Sequence, residues 1–302
     1  MSNDIDKGKD AHVCLDVYVP QLDLLKAAEL AIAENPENAP SGDMDAVRKV
    51  GVDPSSSFEA FGAVLTGKKW QPGRTLRVRH LDGDPQIHAK VEHYAKMWEP
   101  HANLTFAFGN DAGAEIRISY HNDNRSWSYI GTDALAIEPD KETMHYGWLH
   151  TTTTDEEYRR VIVHEFGHAI GMIHEQSHPE ISIKWDKPAV YRHYESRGWT
   201  RAQVDSNVFF KYSTLVTQFS AYDRTSIMHY PIPPEFTTDG VAVGWNTNLS
   251  AMDKAFIGSI YPKSQPDAPQ MDVGGPGAAS AAPPAQPAPV AVPPTRIRRT
   301  WA

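Results

Sequence analysis

The chain has 302 residues, and 38 acidic against 29 basic side chains give it a formal net charge of −9. That length supports one large domain or two small ones, and the acidic total argues against a non-specific nucleic-acid binder. No window approaches the apolar run that a membrane span needs, and a single cysteine, Cys14, excludes an intramolecular disulfide.

The N-terminus, "MSNDIDKGKD", is polar, with no apolar signal-peptide core behind it. The expectation is a cytoplasmic protein, one exported by a route that reads no such signal, or one cut from a longer precursor. Cys14 and Asp16 follow in "CLDVYVP". Helical spacing at Leu25, Leu30 and Ala33 predicts a helix that stops at Pro36. A polar, Gly/Ser-containing stretch comes next, so residues 1–67 read as an N-terminal extension. The main folded domain is expected over 68–263. Residues 264–302 are dominated by Pro, Ala and Gly, read as a disordered tail, and end in the small basic patch "RIRRTWA".

The domain opens on alternation. "TLRVRHL" sets Leu76 and Val78 on one face of a strand. "QIHAKVEHYAKMWEP" then carries apolar residues at Ile87, Val91, Tyr94, Ala95 and Trp98, an amphipathic helix ended by Pro100. "NLTFAFG", "EIRISY" and "TMHYGWLH" read as further strands, the last as an edge strand on which a peptide could add or as an internal one. Strands and helices in this order predict an α+β fold, a mixed sheet with helices packed against it.

The densest chemistry lies in "VIVHEFGHAIGMIHEQ", Val161 to Gln176. A long helix begins at Thr154, with Glu157 at capping-box spacing and Asp155 and Glu156 where the helix dipole favours negative charge. His164 and His168, four apart, project from one face. Gly171 ends the helix, and His174 can swing back as a third nitrogen. Three imidazoles leave one position open on a tetrahedral zinc, the arrangement of a catalytic site. Glu165 is not needed as a ligand. It is placed to hold a water whose pKa zinc lowers to about 7 and to take its proton. The full run H-E-x-x-H-x-x-G-x-x-H is far more restrictive than the pentad alone.

"HEFGHAIGMIHE" resembles the zinc signature of the metzincin endopeptidases, and Glu175 after the third histidine resembles the astacins. "SIMHY", Ser226 to Tyr230, matches their methionine turn, and "SWSYIGTDAL" resembles an astacin segment ahead of the zinc helix. The resemblance covers roughly Trp70 to Pro262. It implies a metzincin-like domain over 68–263: a twisted mixed sheet, an active-site helix and a mostly irregular C-terminal subdomain. It also implies that Met228 underlies the zinc and that Tyr230 ligates it at rest and stabilises the transition state. Glu175 would meet a new N-terminus once a pro-segment is removed. The chain lacks the cysteines of the two animal astacin disulfides and the arginine-rich continuation after Glu175, and looks closer to disulfide-free microbial relatives.

The expected function is therefore a zinc endopeptidase with one catalytic Zn2+, held by His164, His168, His174 and Tyr230, with Glu165 and Tyr230 catalytic and a protein or peptide as substrate. The alternative is a zinc-binding module that has lost catalysis and serves as an effector or adhesion scaffold. Neither nucleic acid nor a membrane span is expected, and the oligomeric state is open. Cys14 or Asp16 could occupy the open zinc position while residues 1–67 remain, Cys14 because thiolate is a good zinc ligand, or Cys14 could simply pack the extension.

Overall fold

The computed structural model describes residues 13–20, 23–39, 67–211 and 221–263. The tail read from 264 onward, with its basic end, lies outside the described residues, as do most of residues 1–67.

Six strands form one sheet in the order β1-β5-β6-β4-β2-β3: β1 Val13–Cys14, β2 Thr75–His80, β3 Thr105–Phe108, β4 Ile116–Ser119, β5 Arg125–Ser128 and β6 Met144–Tyr146. Only β5 and β6 run antiparallel; the other neighbours are parallel, so the sheet is mixed. Leu76 and Val78 of β2 are buried, as their alternation predicts. The segment around β6 is internal, flanked by β4 and β5. Within residues 68–263 the sheet is bordered by β3 on one side and β5 on the other, and the N-terminal β1 lies along β5.

Helices α1 (Leu24–Glu34), α2 (Pro85–Ala95) and α3 (Asp155–Ala169) follow the expected segments. In α1 the buried residues are Ala27 and Ala31, with Leu24 and Leu30 partly buried, whereas Ala33 is exposed. The apolar face is thus set by small residues packing on the turn at 131–136. Helix α2 starts on Asp84, whose Oδ1 accepts from the Gln86 amide at 2.8 Å, and buries Ile87, Val91, Tyr94 and Ala95 against α3.

Helix α3 contains Val161, Ile162 and Val163, three β-branched residues that each cost about half a kcal/mol of helix propensity. All three are buried, and burial of each is worth about 1.5–3 kcal/mol, so packing outweighs propensity. Thr154 caps the helix by accepting from the Glu157 amide at 3.3 Å. Near the other end, Trp70 Nε1 donates to the Ala169 carbonyl at 2.8 Å and Tyr261 Oη to that of Ile170 at 2.8 Å. These side chains satisfy carbonyls that a helix terminus leaves without partners.

Beyond Gly171 the described residues carry little regular structure, their α-helices being α4 (Lys187–Glu195), the single turn α5 (Arg201–Val204) and α6 (Ala251–Ile260). Val190, Tyr194, Val204, Ile232 and Phe236 form a second small core there, while Ile257 of α6 joins the main one. No helix among the described residues is long and apolar enough to cross a membrane.

Candidate active site and metal centre

Gly171 has φ +97°, a left-handed conformation that turns the chain out of α3. The turn carries His174 back towards the helix. His174 Nε2 lies 3.0 Å from His168 Nε2 and 3.2 Å from His164 Nε2. Zinc–nitrogen bonds of about 2.0–2.1 Å in a tetrahedron give nitrogen–nitrogen edges of about 3.3 Å, so this spacing fits a metal-holding triad.

The outer nitrogens explain how the rings are aimed. His164 Nδ1–H donates to the Ile227 carbonyl and His168 Nδ1–H to that of Met172, both at 2.8 Å. A carbonyl can only accept, so these bonds fix the tautomer and leave both Nε2 lone pairs facing inward. All three rings are buried. Burial, with the neighbouring imidazoles, pushes His164 well below the ordinary range and His168 down to about 3. Both are therefore neutral, as metal binding requires.

Glu165 is fully buried. Burial pushes its carboxyl up to about 8, partly opposed by a hydrogen bond from Cys14. The thiol Sγ donates to Oε2 at 3.2 Å, and Oε1 has no partner. Burial and then the Glu165 charge raise the Cys14 thiol well above its usual value. Without a cation, the pair is a protonated thiol beside a carboxyl group.

Cys14 stands with His164, His168 and His174 as a group of four ligand atoms, all within 4.8 Å of one another. Asp16 lies elsewhere. Its Oδ1 is 2.9 Å from His174 Nδ1, at ion-pair distance but not aligned as a hydrogen bond. Of the two candidates for the open position, the thiol faces the metal nitrogens and the carboxylate sits behind one of them. The register that achieves this is parallel pairing of β1 with β5, Cys14 opposite Ser126, extended by Leu15 N–H donating to Ser126 O at 2.9 Å.

The methionine turn is built from below by α6. Asp253, buried, accepts from Ser226 Oγ at 2.6 Å and from the Ile227 amide at 2.9 Å while capping its own helix. Met228 packs on Gly167, where an added Cβ would lie 2.4 Å from its sulfur. A glycine inside a helix costs about 1 kcal/mol, and that cost was the sequence signal for this close approach. Tyr230 sits with its ring 4.4 Å from that of His174, and its hydroxyl donates to the Cys14 carbonyl. His229 supports the turn through its neighbours: Tyr222 Oη is 2.8 Å from its Nε2. Glu175, half-buried and raised to about 7 by burial, accepts from the Asp223 amide at 2.8 Å. That amide satisfies the carboxylate while residues 1–67 remain attached.

Of the expected site residues, the fold brings His164, His168, His174, Glu165 and Tyr230 together. What sequence reasoning missed are the supports: Gly167, Asp253 and the carbonyls of Ile227 and Met172. Trp98 and Trp148 are buried in the core, whereas Trp127 is half-buried, tilted over His145.

The family model for Astacin, a peptidase family, matches residues 65–273. Protein SpAN of Strongylocentrotus purpuratus is 27% identical over 201 residues, 58% of this chain and 28% of that protein. This chain thus spans under a third of that relative. Two solved structures of myroilysin are also similar. One is 45% identical with a TM-score of 0.64, covering 66% of this chain and 97% of that chain. The other is 38% identical with a TM-score of 0.53, covering 83% and 99%. A match over more than half of the chain, on a fold that converges three imidazoles beside a buried glutamate, settles the classification: this chain belongs to the astacin family of peptidases.

Proposed function

We propose that the chain hydrolyses internal peptide bonds of proteins with one zinc ion, and that residues 1–67 hold residues 68–263 in a latent form. The observation that carries this reading is the convergence of three neutral Nε2 atoms beside a buried glutamate that is not itself a ligand. His164, His168 and His174 would hold the zinc. When bound, zinc supplies Lewis acidity to the scissile carbonyl and lowers the pKa of a water to about 7.

The chain's own residues do the rest. Glu165 takes the proton of the attacking water and delivers it to the leaving amine. Its raised pKa favours that return of the proton, and a nearby divalent cation draws the value down towards the form that accepts one. Tyr230, once its hydroxyl leaves the Cys14 carbonyl, donates to the oxyanion. We infer that Tyr230 ligates zinc only in that released form, because Cys14 competes for the same position. An extended substrate would add to the free edge of β5, where β1 now lies.

A zinc-binding scaffold without catalysis is the weaker reading. A buried carboxylate oxygen without a partner costs about 1–3 kcal/mol or more, and a scaffold has no use for that cost. The test is casein hydrolysis by full-length protein carrying Cys14→Ala. Activity should appear with zinc, vanish with a chelator and exceed that of the uncleaved wild type by about tenfold or more, the open position being freed. Zinc-loaded protein that cleaves nothing in either form would overturn the enzymatic reading, and equal rates would overturn the latency.

A further inference from the structure

Away from the triad, a second set of metal-ligating side chains converges where the loop 121–124 meets the sheet. His121, Asp123 and His145 place one ligand atom each within 4.8 Å of one another. His145, on β6, is fully buried. Its Nδ1 lies 2.7 Å from Ser119 Oγ and its Nε2 3.0 Å from Asp123 Oδ1. His121 is exposed; its ring lies 4.1 Å from that of His145, and its Nε2 is 3.9 Å from Asp123 Oδ2.

The carboxylate has a built seat. Asp123 Oδ1 accepts the Arg125 amide at 2.9 Å, and the amides of Asp123 and Asn124 both donate to the Gly147 carbonyl at 3.2 Å. A Cβ at position 147 would stand 2.1 Å from Asp123 Oδ1, so glycine there makes the approach possible. Asn124 takes φ +59° to close the loop.

We propose that His121, Asp123 and His145 form a second site, for a late first-row divalent cation such as Zn2+. Two imidazoles and a carboxylate are a donor set suited to that class. With an ion taking its Nε2 lone pair in place of the Asp123 hydrogen bond, His145 would turn Nδ1–H to Ser119 Oγ, the outer-sphere pattern that orients a ligating histidine. The exposed His121 and partly exposed Asp123 give the ion a way in from solvent. Bound there, it ties the loop to β6 and stiffens β5, the strand that borders the candidate cleft.

The test is equilibrium dialysis of the full chain against excess Zn2+, followed by metal analysis. Wild type should hold about two zinc per chain and His121→Ala about one, since an exposed ligand can be removed without disturbing the core. Asp123→Asn keeps the acceptor for the Arg125 amide and should also weaken the second equivalent. Amide exchange over residues 121–128 should slow on adding zinc to wild type but not to His121→Ala. Equal zinc content in wild type and His121→Ala, or zinc-independent exchange in this loop, would each overturn the proposal. Loss of the triad's own ion leaves this comparison readable, because both proteins share that site.

Discussion

Helix α3 and the extended stretch at residues 13–20, which begins with β1, meet at one point but reach it by different means. The helix carries its ligands at a period of four, so geometry within one turn brings His164 and His168 together. The strand carries one sulfur, and only its register on β5 sets Cys14 against the triad. The first arrangement is local and survives as long as the helix is folded. The second is non-local, held by a short ladder, the Tyr230 hydroxyl and the Asp16 contact. The part that builds the proposed chemistry is thus anchored in the main core, and the part that would block it by that ladder, a few polar contacts, among them the Asp16 amide donating to Asn207 Oδ1 at 2.8 Å, and a small apolar cluster around Val19.

That contrast predicts a hierarchy of effects. The largest belongs to the helix. Glu165→Gln should keep zinc and fold while peptide hydrolysis falls by about a hundred- to ten-thousandfold, the contribution of a general base. Steady-state rates beside metal content decide it; a variant without metal, or one near wild-type rate, would refute the role. Tyr230 touches both regions, so its variant separates them. In protein freed of residues 1–67 by proteolysis, Tyr230→Phe should cost about ten- to a thousandfold in turnover, from one oxyanion donor. In uncleaved wild type the same change also removes a bond holding the strand, and its measured cost should be smaller. Equal costs in both backgrounds would show that the hydroxyl has no part in latency.

Gly167→Ala probes the core under the site. A methyl group meeting the Met228 sulfur at 2.4 Å costs about 1–3 kcal/mol of overpacking, offset in part by about 1 kcal/mol of helix propensity. The net expectation is destabilisation of about 1 kcal/mol, read from urea unfolding, with weaker zinc retention because Ile227, next to Met228, carries the carbonyl that orients His164. A more stable variant would mean that Met228 moves freely.

The legibility of the molecule follows the same division. The convergence of the three imidazoles and the glutamate, and the helix cap, were readable because each depends on neighbours within one or two turns. The interior strands showed as alternation, but their order did not, and β6 could not be told from an edge strand because order is set by pairing between distant segments. The face of α1 was misread for a related reason: alanines packing on the turn at 131–136 carry too little hydrophobic contrast to outvote Leu25. Asp253 was invisible as a support of the methionine turn, since nothing local distinguishes it from an ordinary capping aspartate. The choice between Cys14 and Asp16 was likewise undecidable, as residues two apart in one extended stretch share a side, and only tertiary contacts set one at the imidazole nitrogens and the other behind His174.

The smallest effect concerns His80, outside both regions, and serves as a control on the comparison. Its ring is partly buried, stacked 3.9 Å from that of His88, and its Nδ1 lies at hydrogen-bond distance, 2.7 Å, from Tyr120 Oη. Burial, and then the His88 charge, lower its pKa from 6.5 to about 4, with Glu92 opposing. The unfolded chain therefore binds a proton as pH falls through 6.5, while the folded chain does so only near 4. Between those values the unfolded state carries more protons, so stability rises with pH in that window and is lost as pH falls through it. His80→Gln keeps an acceptor for Tyr120 but cannot titrate, so its urea midpoint should fall less than that of wild type between pH 6.5 and pH 4. Acid titration of the triad and of His229 is common to both proteins and cancels in the difference. Identical acid losses would place the proton uptake elsewhere, and the acid sensitivity of the fold would then reside in the site itself.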